Sequence, residues 1–287
     1  MKILVPLDGS VLSESVFPCV ASLAQREGFH VILMRATEPF LATPYALAYE
    51  LSDELRKKIV NDSSEYLARA QSHLSVQNLS TCSVVGHAQE EICRTAQDME
   101  CDLIVMTSHG ASGLRQFFLG SVADGVVRMA PCPVLLIRQP PPQQCDFRHI
   151  LIPIDGSPAS LSVVQKLSAF LSQQTKITLL AATGLSPHDY VDIFDRGQWQ
   201  TYMEKLENNL LQVKLEGVPL QVKVLDGEAD QSILSWAAEA DCDLIAMASH
   251  GCGSLRRLLL GSVVQKVLRQ APCSVLVVPA GLPQEEN

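Results

Sequence analysis

The sequence predicts an α/β protein made of two repeated domains, each a doubly wound, five-stranded parallel sheet covered by helices. The stretch from Thr107 to Ser121 recurs 141 residues later as Ala248 to Ser262, and each copy reads Ser-His-Gly, nine residues, Gly-Ser. Within each half, short apolar runs rich in β-branched residues alternate with longer amphipathic segments. Runs such as Leu103 to Met106 are apolar without a break, which indicates strands buried on both faces and hence a parallel sheet.

The strands of the first half are predicted from its short apolar runs, taken in chain order. The runs Ile-Leu-Val-Pro-Leu, Val-Ile-Leu-Met, Ser-Val-Val, Leu-Ile-Val-Met and Val-Leu-Leu-Ile predict strands at 2–7, 30–36, 80–86, 102–107 and 133–138. The amphipathic segments between them predict helices at 11–27, about 49–75, 88–98 and 119–130. Five strands alternating with four helices make a Rossmann-like domain, for which we expect the strand order 3-2-1-4-5.

The start of the first helix has the same signature in both halves. Ser10 and Ser157 are placed as N-caps, because a serine hydroxyl accepts a hydrogen bond from the first turn. Pro158 fits the first helical position, where an N–H is not needed.

The repeat covers nearly the whole chain but changes its offset once. Residues 3–10 match 150–157 at an offset of 147, whereas Gly86 matches Gly227 at an offset of 141. Six residues are therefore lost between the first strand and Gly86, and we expect the loss after the second strand, where 39–49 differs from 184–199. The predicted organisation is a first domain at 1–138, a proline-rich linker at 139–147, a second domain at 148–280 and a polar tail at 281–287.

Composition excludes several classes of protein. The 287 residues are 47% hydrophobic and 18% charged, with no apolar run near the roughly 20 residues that span a bilayer. A formal charge of −9 without a basic block argues against nonspecific binding of nucleic acid. Asp8 interrupts the N-terminal apolar run too early for a signal peptide, so we expect a cytoplasmic protein.

The nine cysteines are an odd number and have neither Cys-x-x-Cys nor zinc-type spacing, so no metal site is predicted. We expect buried thiols in a reducing compartment rather than a disulfide framework. The cysteines at equivalent positions of the two halves are Cys101, Cys132, Cys242 and Cys273.

Two motifs of each half are expected to meet at one crevice. In an open parallel sheet, ligands bind beyond the carboxyl ends of the strands where the strand order reverses, here between the first and fourth strands. Asp8 and Asp155 follow the first strands, and the glycine phrases follow the fourth. A carboxylate can accept hydrogen bonds from ribose hydroxyls, and glycine amides at a helix start can approach phosphate. The alternatives are that Asp8 only stabilises a turn and that Gly120-Ser121 is a plain helix start.

At these residues the chain resembles the tandem-domain members of the universal stress protein family. Their signature is Gly, two residues, Gly, nine residues, then Gly-Ser or Gly-Thr after the fourth strand, with an aspartate after the first. The resemblance covers nearly the whole chain, and the phrases Pro-Leu-Asp-Gly-Ser and Ala-Pro-Cys-Pro-Val-Leu add to it. It implies an adenine nucleotide alpha hydrolase-like fold that binds an adenine nucleotide, usually ATP. It also implies domains that pair through their last strands, here as an intramolecular pseudo-dimer, with a homodimer also possible.

The resemblance assigns roles position by position. The aspartates would hold ribose, the alanines at the ends of the second strands would lie against adenine, and the glycine phrases would hold phosphates, with or without Mg²⁺. The implied first site comprises Asp8, Ala36, Thr107, Gly110, Gly120, Ser121 and Val122, and the second Asp155, Ala182, Ala248, Gly251, Gly261, Ser262 and Val263.

The first glycine of the signature is replaced in both copies, by Thr107 and by Ala248. The β-branched threonine should crowd the ribose or the α-phosphate more than alanine does. We therefore favour the second half as the nucleotide site; occupation of one site, both or neither remains open.

Other candidates stay secondary. Ser108-His109 and Ser249-His250 each put a hydroxyl beside an imidazole, but neighbours on a strand end point to opposite sides. We therefore expect these pairs to stabilise a turn rather than to form a catalytic nucleophile–base pair. Arg115 and Arg256 either reach a terminal phosphate or are solvated, and Cys252 is either inert or redox-sensitive.

The sequence therefore predicts a stress-response protein that binds ATP, ADP or AMP as a regulator. No P-loop, metal-ligand set or general base is present, so no catalytic residues are predicted and at most weak ATP hydrolysis is expected. The alternatives are a nucleotide-independent scaffold with vestigial crevices and a slow ATPase.

Overall fold

The computed structural model describes residues 1–25, 28–38, 53–108, 119–138, 147–167, 170–172, 174–182, 218–250 and 260–280. The chain divides into two compact units, Met1–Cys145 and Asp146–Asn287. Residues 139–146 of the expected linker and residues 281–287 of the expected tail lie outside the described part, so both remain predictions.

The first unit contains one parallel sheet in the predicted order β3-β2-β1-β4-β5. The strands β1 and β4 are central and almost wholly buried, as their uninterrupted apolar sequences require. Its described elements are β1 Lys2–Pro6, α1 Val11–Glu14, α2 Phe17–Leu23, β2 His30–Thr37, α3 Asp53–Ser72, β3 Leu79–Val85, α4 Ala88–Asp98, β4 Leu103–Thr107, α5 Ser121–Met129 and β5 Val134–Ile137.

The second unit repeats this arrangement with the strand order β8-β7-β6-β9-β10, all parallel. Both units thus confirm the predicted doubly wound α/β fold with order 3-2-1-4-5. Its described elements are β6 His149–Pro153, α6 Pro158–Gln165, β7 Lys176–Ala182, β8 Leu220–Leu225, α7 Ala229–Glu239, β9 Leu244–Ala248, α8 Ser262–Gln270 and β10 Ser274–Val278.

The prediction of a single helix over 11–27 is wrong, because α1 ends at Glu14 and α2 begins at Phe17. Pro18 explains the break. A proline within a continuous helix has no N–H for the carbonyl four residues back, here that of Glu14, and its ring clashes with that carbonyl. At the second position of a new helix the same proline is tolerated.

The predicted N-caps are confirmed in both units. The hydroxyl of Ser10 accepts a hydrogen bond from the N–H of Ser13 at 3.1 Å, and the hydroxyl of Ser157 accepts one from the N–H of Ser160 at 3.1 Å. Pro158 is the first residue of α6, as predicted.

The strand registers locate the six-residue difference between the halves. Val31 and Ile177 occupy equivalent places in the second strands, at an offset of 146, and Leu79 and Leu220 do so in the third strands, at an offset of 141. The second half is therefore one residue shorter than the first between the first and second strands, and five residues shorter between the second and third strands. The predicted loop accounts for most of the difference, and the segments 39–49 and 184–199 themselves lie outside the described residues.

The cysteines mostly follow the expected pattern. Cys101, Cys132 and Cys242 are buried beside strands, whereas Cys273 is half-buried. Cys19, buried on α2, is disulfide-bonded, which the sequence did not predict. Within the described part of the chain, no group of His, Cys, Asp and Glu side chains is arranged to hold a metal ion, and no helix is long and apolar enough to cross a membrane.

Candidate functional site

Each unit has a cavity at the carboxyl ends of its two central strands. In the first unit, Asp8 follows β1 and Thr107 ends β4, and these two strands are hydrogen-bonded neighbours. The second unit places Asp155 and Ala248 in the same way after β6 and at the end of β9. The two motifs of each half therefore meet at the point where the strand order reverses, as the sequence predicted.

The cavities contain nearly all the candidate residues but differ in size. The first has a volume of about 220 Å³ and the second about 540 Å³. Candidates lining the first are Asp8, Ala36, Thr107, Gly120, Ser121 and Val122. Candidates lining the second are Asp155, Ala182, Ala248, Gly261, Ser262 and Val263. Gly110, Gly251, Arg115, Arg256 and Cys252 lie outside the described residues, so their assignments remain predictions.

The aspartate of each cavity belongs to a tight turn. Oδ1 of Asp8 accepts hydrogen bonds from the N–H and the hydroxyl of Ser10 at 2.9 and 2.6 Å. Oδ1 of Asp155 accepts the same pair from Ser157 at 3.0 and 2.6 Å. The intervening glycines have φ of +90° and +79°, a left-handed conformation that a side chain would strain. The turn role that the sequence left as an alternative is therefore present, and both serine hydrogen bonds of each turn go to Oδ1.

The glycine that opens the last helix of each unit has an amide that is already hydrogen-bonded. The N–H of Gly120 donates to the carbonyl of Ser108 at 2.9 Å, and the N–H of Gly261 donates to the carbonyl of Ser249 at 3.0 Å. Because these two amides are used, the N–H groups that can meet a ligand belong to the first helical turn, beginning at Ser121 and at Ser262. No side chain among the described residues caps α5 or α8. Each helix start therefore presents its first-turn N–H groups and the positive end of its dipole, which favour an anion.

The Ser-His pair of the second unit contradicts the expectation from strand alternation. The Ser249 Oγ and His250 Nδ1 atoms are 3.0 Å apart, which is a hydrogen bond. The strand β9 ends at Ala248, so the two residues lie in the following turn, where alternation no longer applies. The Ser249 hydroxyl also accepts a hydrogen bond from the N–H of Ala280 at 3.0 Å, so the expected turn-stabilising role is correct for the serine. His109 of the first unit lies outside the described residues.

The remaining wall of the larger cavity is mostly apolar. Leu180 on β7 and Met247 on β9 line it from the sheet, and Ala229 and Ile233 line it from the start of α7. Sequence reasoning missed the helix that follows the third strand, which also lines the smaller cavity through Ala88 and Ile92. The equivalence of Gly86 and Gly227 just before this helix was the available signal. A mostly apolar wall opposite a helix start suits a ligand with a flat apolar part and an anionic part.

A carboxylate that the sequence did not identify contacts Ala88, a residue that lines the smaller cavity. Oε1 of Glu38, directly after β2, accepts a hydrogen bond from the N–H of Ala88 at 3.1 Å and lies 3.5 Å from Nδ1 of His87. His87 is exposed and directly precedes α4. The start of α4 is thus capped by an anion, whereas no described side chain caps the start of α5.

A polar cluster lies behind the Asp8 turn in the first unit. The Arg35 guanidinium stacks over the Tyr66 ring, 4.6 Å from its centroid, and approaches Gly9 closely. The Tyr66 hydroxyl donates to Oε1 of Glu14 at 2.8 Å. Burial, with a contribution from the Glu14 carboxylate, raises the pKa of Tyr66 to about 12, so this tyrosine stays neutral at physiological pH. The cluster supports the turn and contributes no residue to the cavity lining.

Comparison with known proteins assigns the chain to a family. The model of the universal stress protein family matches residues 1–138 and again 146–279. A universal stress protein of Synechocystis is 24% identical over 295 residues, which cover 96% of this chain and 98% of that protein. The universal stress protein MJ0531 of Methanocaldococcus jannaschii is 30% identical over 141 residues, covering 48% of this chain and 82% of its own length.

A solved structure agrees with this assignment at the level of the fold. The universal stress protein from Archaeoglobus fulgidus superposes with a TM-score of 0.64 at 19% identity, and the match covers 98% of both chains. The family therefore matches once in each unit, and similar proteins exist at the full tandem length. The chain belongs to the universal stress protein family.

Proposed function

We propose that the second unit binds an adenine nucleotide, ATP, ADP or AMP, in the cavity between β6 and β9, and that the protein is a nucleotide-dependent regulator in a stress response. The observation that carries the proposal is the convergence of the Asp155 turn and the uncapped start of α8 on one cavity. Its volume of about 540 Å³ lies within the range of about 300–1,000 Å³ typical of small-molecule sites.

Each part of the cavity suits one part of a nucleotide. The Asp155 carboxylate can accept hydrogen bonds from ribose hydroxyls while Oδ1 keeps its turn contacts. The N–H groups at Ser262 and Val263 can donate to phosphate oxygens, with the helix dipole adding to the attraction. Ala182 and Ala248 leave room beside the apolar wall for the adenine ring.

The second unit is favoured over the first because of its larger cavity. The first cavity, at about 220 Å³, falls below the usual range, and Thr107 replaces the smaller Ala248 on its wall. We expect nucleotide to fill the second site first. A reciprocal pair of variants tests this: Ala248→Thr should weaken the tight site about tenfold, and Thr107→Ala should strengthen the weak one. Unchanged binding in both variants would reject the size argument.

The direct test of the proposal is the ligand content and stoichiometry of the purified protein. Denaturing the protein and analysing the supernatant by mass spectrometry should release an adenine nucleotide, and isothermal titration of stripped protein with ATP and AMP should give a measurable affinity. A control titration with inorganic phosphate separates anion binding from nucleotide recognition. Absence of ATP and AMP binding at millimolar concentration in equilibrium dialysis would reject the proposal.

A nucleotide-independent scaffold is the second candidate, and the narrow first cavity favours it for that unit. A chain in which the first unit only supports the fold should bind one nucleotide rather than two. Partner binding that is unchanged when Gly261→Val abolishes nucleotide binding would favour a scaffold role for the second unit as well. Slow ATP hydrolysis is the third candidate, and turnover equal to that of Ser262→Ala would remove it.

A cytoplasmic location and an unidentified protein partner complete the proposal. The pairing of the two units through their last strands and the formation of homodimers remain expectations from the family resemblance. Light scattering of the purified chain, with and without ATP, would measure its oligomeric state and any change that nucleotide causes.

A further inference from the structure

We propose that His250 binds a phosphate oxygen of the nucleotide in the second unit through its Nε2–H, with Ser249 fixing the ring in the tautomer that this contact requires. The proposal rests on nucleotide binding to the second cavity and adds a phosphate-binding side chain to the backbone donors of α8. His250 is not among the nucleotide-binding residues that the sequence predicts.

The location of His250 supports a phosphate contact rather than a contact with the base. His250 is half-buried and lines the cavity. A Cβ added to Gly261, the residue that opens α8, would lie 3.6 Å from the Cα of His250. The backbone of His250 therefore packs against the start of the helix that offers N–H groups to an anion. Ala229 and Ile233, which line the apolar wall, belong to a different helix, α7.

The hydrogen bonds of Ser249 determine which ring nitrogen carries the proton. The Ser249 hydroxyl is buried and accepts a hydrogen bond from the N–H of Ala280 at 3.0 Å. Its own proton needs an acceptor, since a buried hydroxyl without one is costly. Among the described residues, the acceptor within reach is His250 Nδ1, at 3.0 Å. With Nδ1 accepting, the neutral ring carries its proton on Nε2.

A histidine held in this way is a pre-positioned donor. The Ser249 N–H also donates to the carbonyl of Val278 at 2.8 Å, so the serine is tied to the end of β10 at two points. The ring of His250 is thus anchored through Nδ1, and among the described residues no hydrogen-bond partner occupies the Nε2–H that would meet a ligand. A hydrogen bond from this neutral donor to a charged phosphate oxygen corresponds to a change in affinity of about tenfold.

Two substitutions of His250 distinguish the role of Nε2 from that of Nδ1. The amide nitrogen of Gln reaches the place of Nε2, whereas the shorter Asn reaches only the place of Nδ1. The affinities of His250→Gln and His250→Asn for ATP, AMP and adenosine are to be measured by isothermal titration, with thermal unfolding as a check of the fold. Ser249→Ala is a third variant, in which Nδ1 loses its anchor while the imidazole remains.

The expected result is that His250→Asn weakens ATP and AMP about tenfold and leaves adenosine unchanged, while His250→Gln retains most of the affinity for both nucleotides. Ser249→Ala should give an intermediate loss that is again confined to the phosphorylated ligands. Equal losses for adenosine and AMP, or no loss in either His250 variant of a chain that binds nucleotide, would overturn the role of His250 and leave the proposed function intact. A wild-type chain that binds none of the three ligands would overturn both.

Discussion

Asp155→Asn separates the turn role of Asp155 from its proposed contact with ribose. Asparagine keeps one oxygen that can accept hydrogen bonds, but it replaces the other with an NH₂ group and has no charge. In the structure, Oδ1 alone accepts the hydrogen bonds of Ser157, at 3.0 Å from the N–H and 2.6 Å from the hydroxyl. The asparagine oxygen can accept both, so the turn and the N-cap of α6 should persist. We expect the free energy of unfolding to change by less than about 1 kcal/mol, whereas Asp155→Ala loses both bonds and should cost about 1–2 kcal/mol.

The affinity for nucleotide should respond differently from stability. A ribose hydroxyl that donates to the carboxylate makes a charge-assisted bond worth about 1.5–3 kcal/mol, and the asparagine NH₂ cannot accept it. Asp155→Asn should therefore raise the dissociation constant for ATP by about 10- to 150-fold. The same loss should follow when the wild-type chain is titrated with 2′,3′-dideoxy-ATP, which lacks both hydroxyls.

The assay is a cycle of two proteins and two ligands measured by isothermal titration, with urea unfolding as the test of stability. The variant should no longer distinguish ATP from the dideoxy analogue, because the group that senses the hydroxyls is gone. Asp8→Asn is the matched control in the smaller cavity and should leave the tight site unchanged. If Asp155→Asn binds ATP as the wild type does, and the wild type does not distinguish the two ligands, Asp155 serves only the turn and the assigned ribose contact is wrong.

Three further predictions concern buried groups. Burial lowers the pKa of His149 below its ordinary value of 6.5. As the pH falls through 6.5, His149 is therefore protonated in the unfolded chain before it is protonated in the folded one. Urea unfolding of the second unit should therefore become easier as the pH falls from 7 to 5, and His149→Gln should flatten that slope. Burial raises the pKa of Cys101 to about 11 and that of Cys242 to about 12, so both thiols should resist a disulfide reagent at pH 8 until the protein unfolds. Ser157→Ala removes the N-cap of α6 and should cost about 1 kcal/mol of stability in urea unfolding, while Ser157→Gly should cost less.

The fold could be predicted almost completely from the sequence, because its signals are local. Uninterrupted apolar runs such as Leu103 to Met106 identify buried parallel strands without knowledge of their neighbours. The repeat then fixes two domains, since the same pattern of elements occurs twice. The prediction of one helix over 11–27 failed because the effect of a proline depends on its position in the helix. Pro18 is compatible with the first turn of a helix but not with its interior.

The candidate site was predictable where it consists of turns and helix starts, and not where it depends on side-chain contacts. The positions of Asp155 and Gly261 follow from strand ends and the strand order, so the structure brings them to one cavity as expected. The hydrogen bond from Ser249 to His250 could not be foreseen, because it depends on the side-chain geometry of the turn that follows β9. The cap that Glu38 provides joins residues 50 positions apart, and no local pattern signals it.

The two units share their backbone motifs but differ in the walls of their cavities, and the physical demands on the two sets of positions explain why. The turn glycines adopt positive φ in both units, and the glycines that open α5 and α8 donate to equivalent serine carbonyls, so these positions are constrained by the fold itself. The side chains on the cavity walls are under no such backbone constraint, so their size can differ between the units. The difference between Thr107 and Ala248 therefore acts mainly on what each cavity can hold. Two cavities of about 220 and 540 Å³ in one chain should bind nucleotide unequally, and a titration that gives two equal sites would contradict this reasoning.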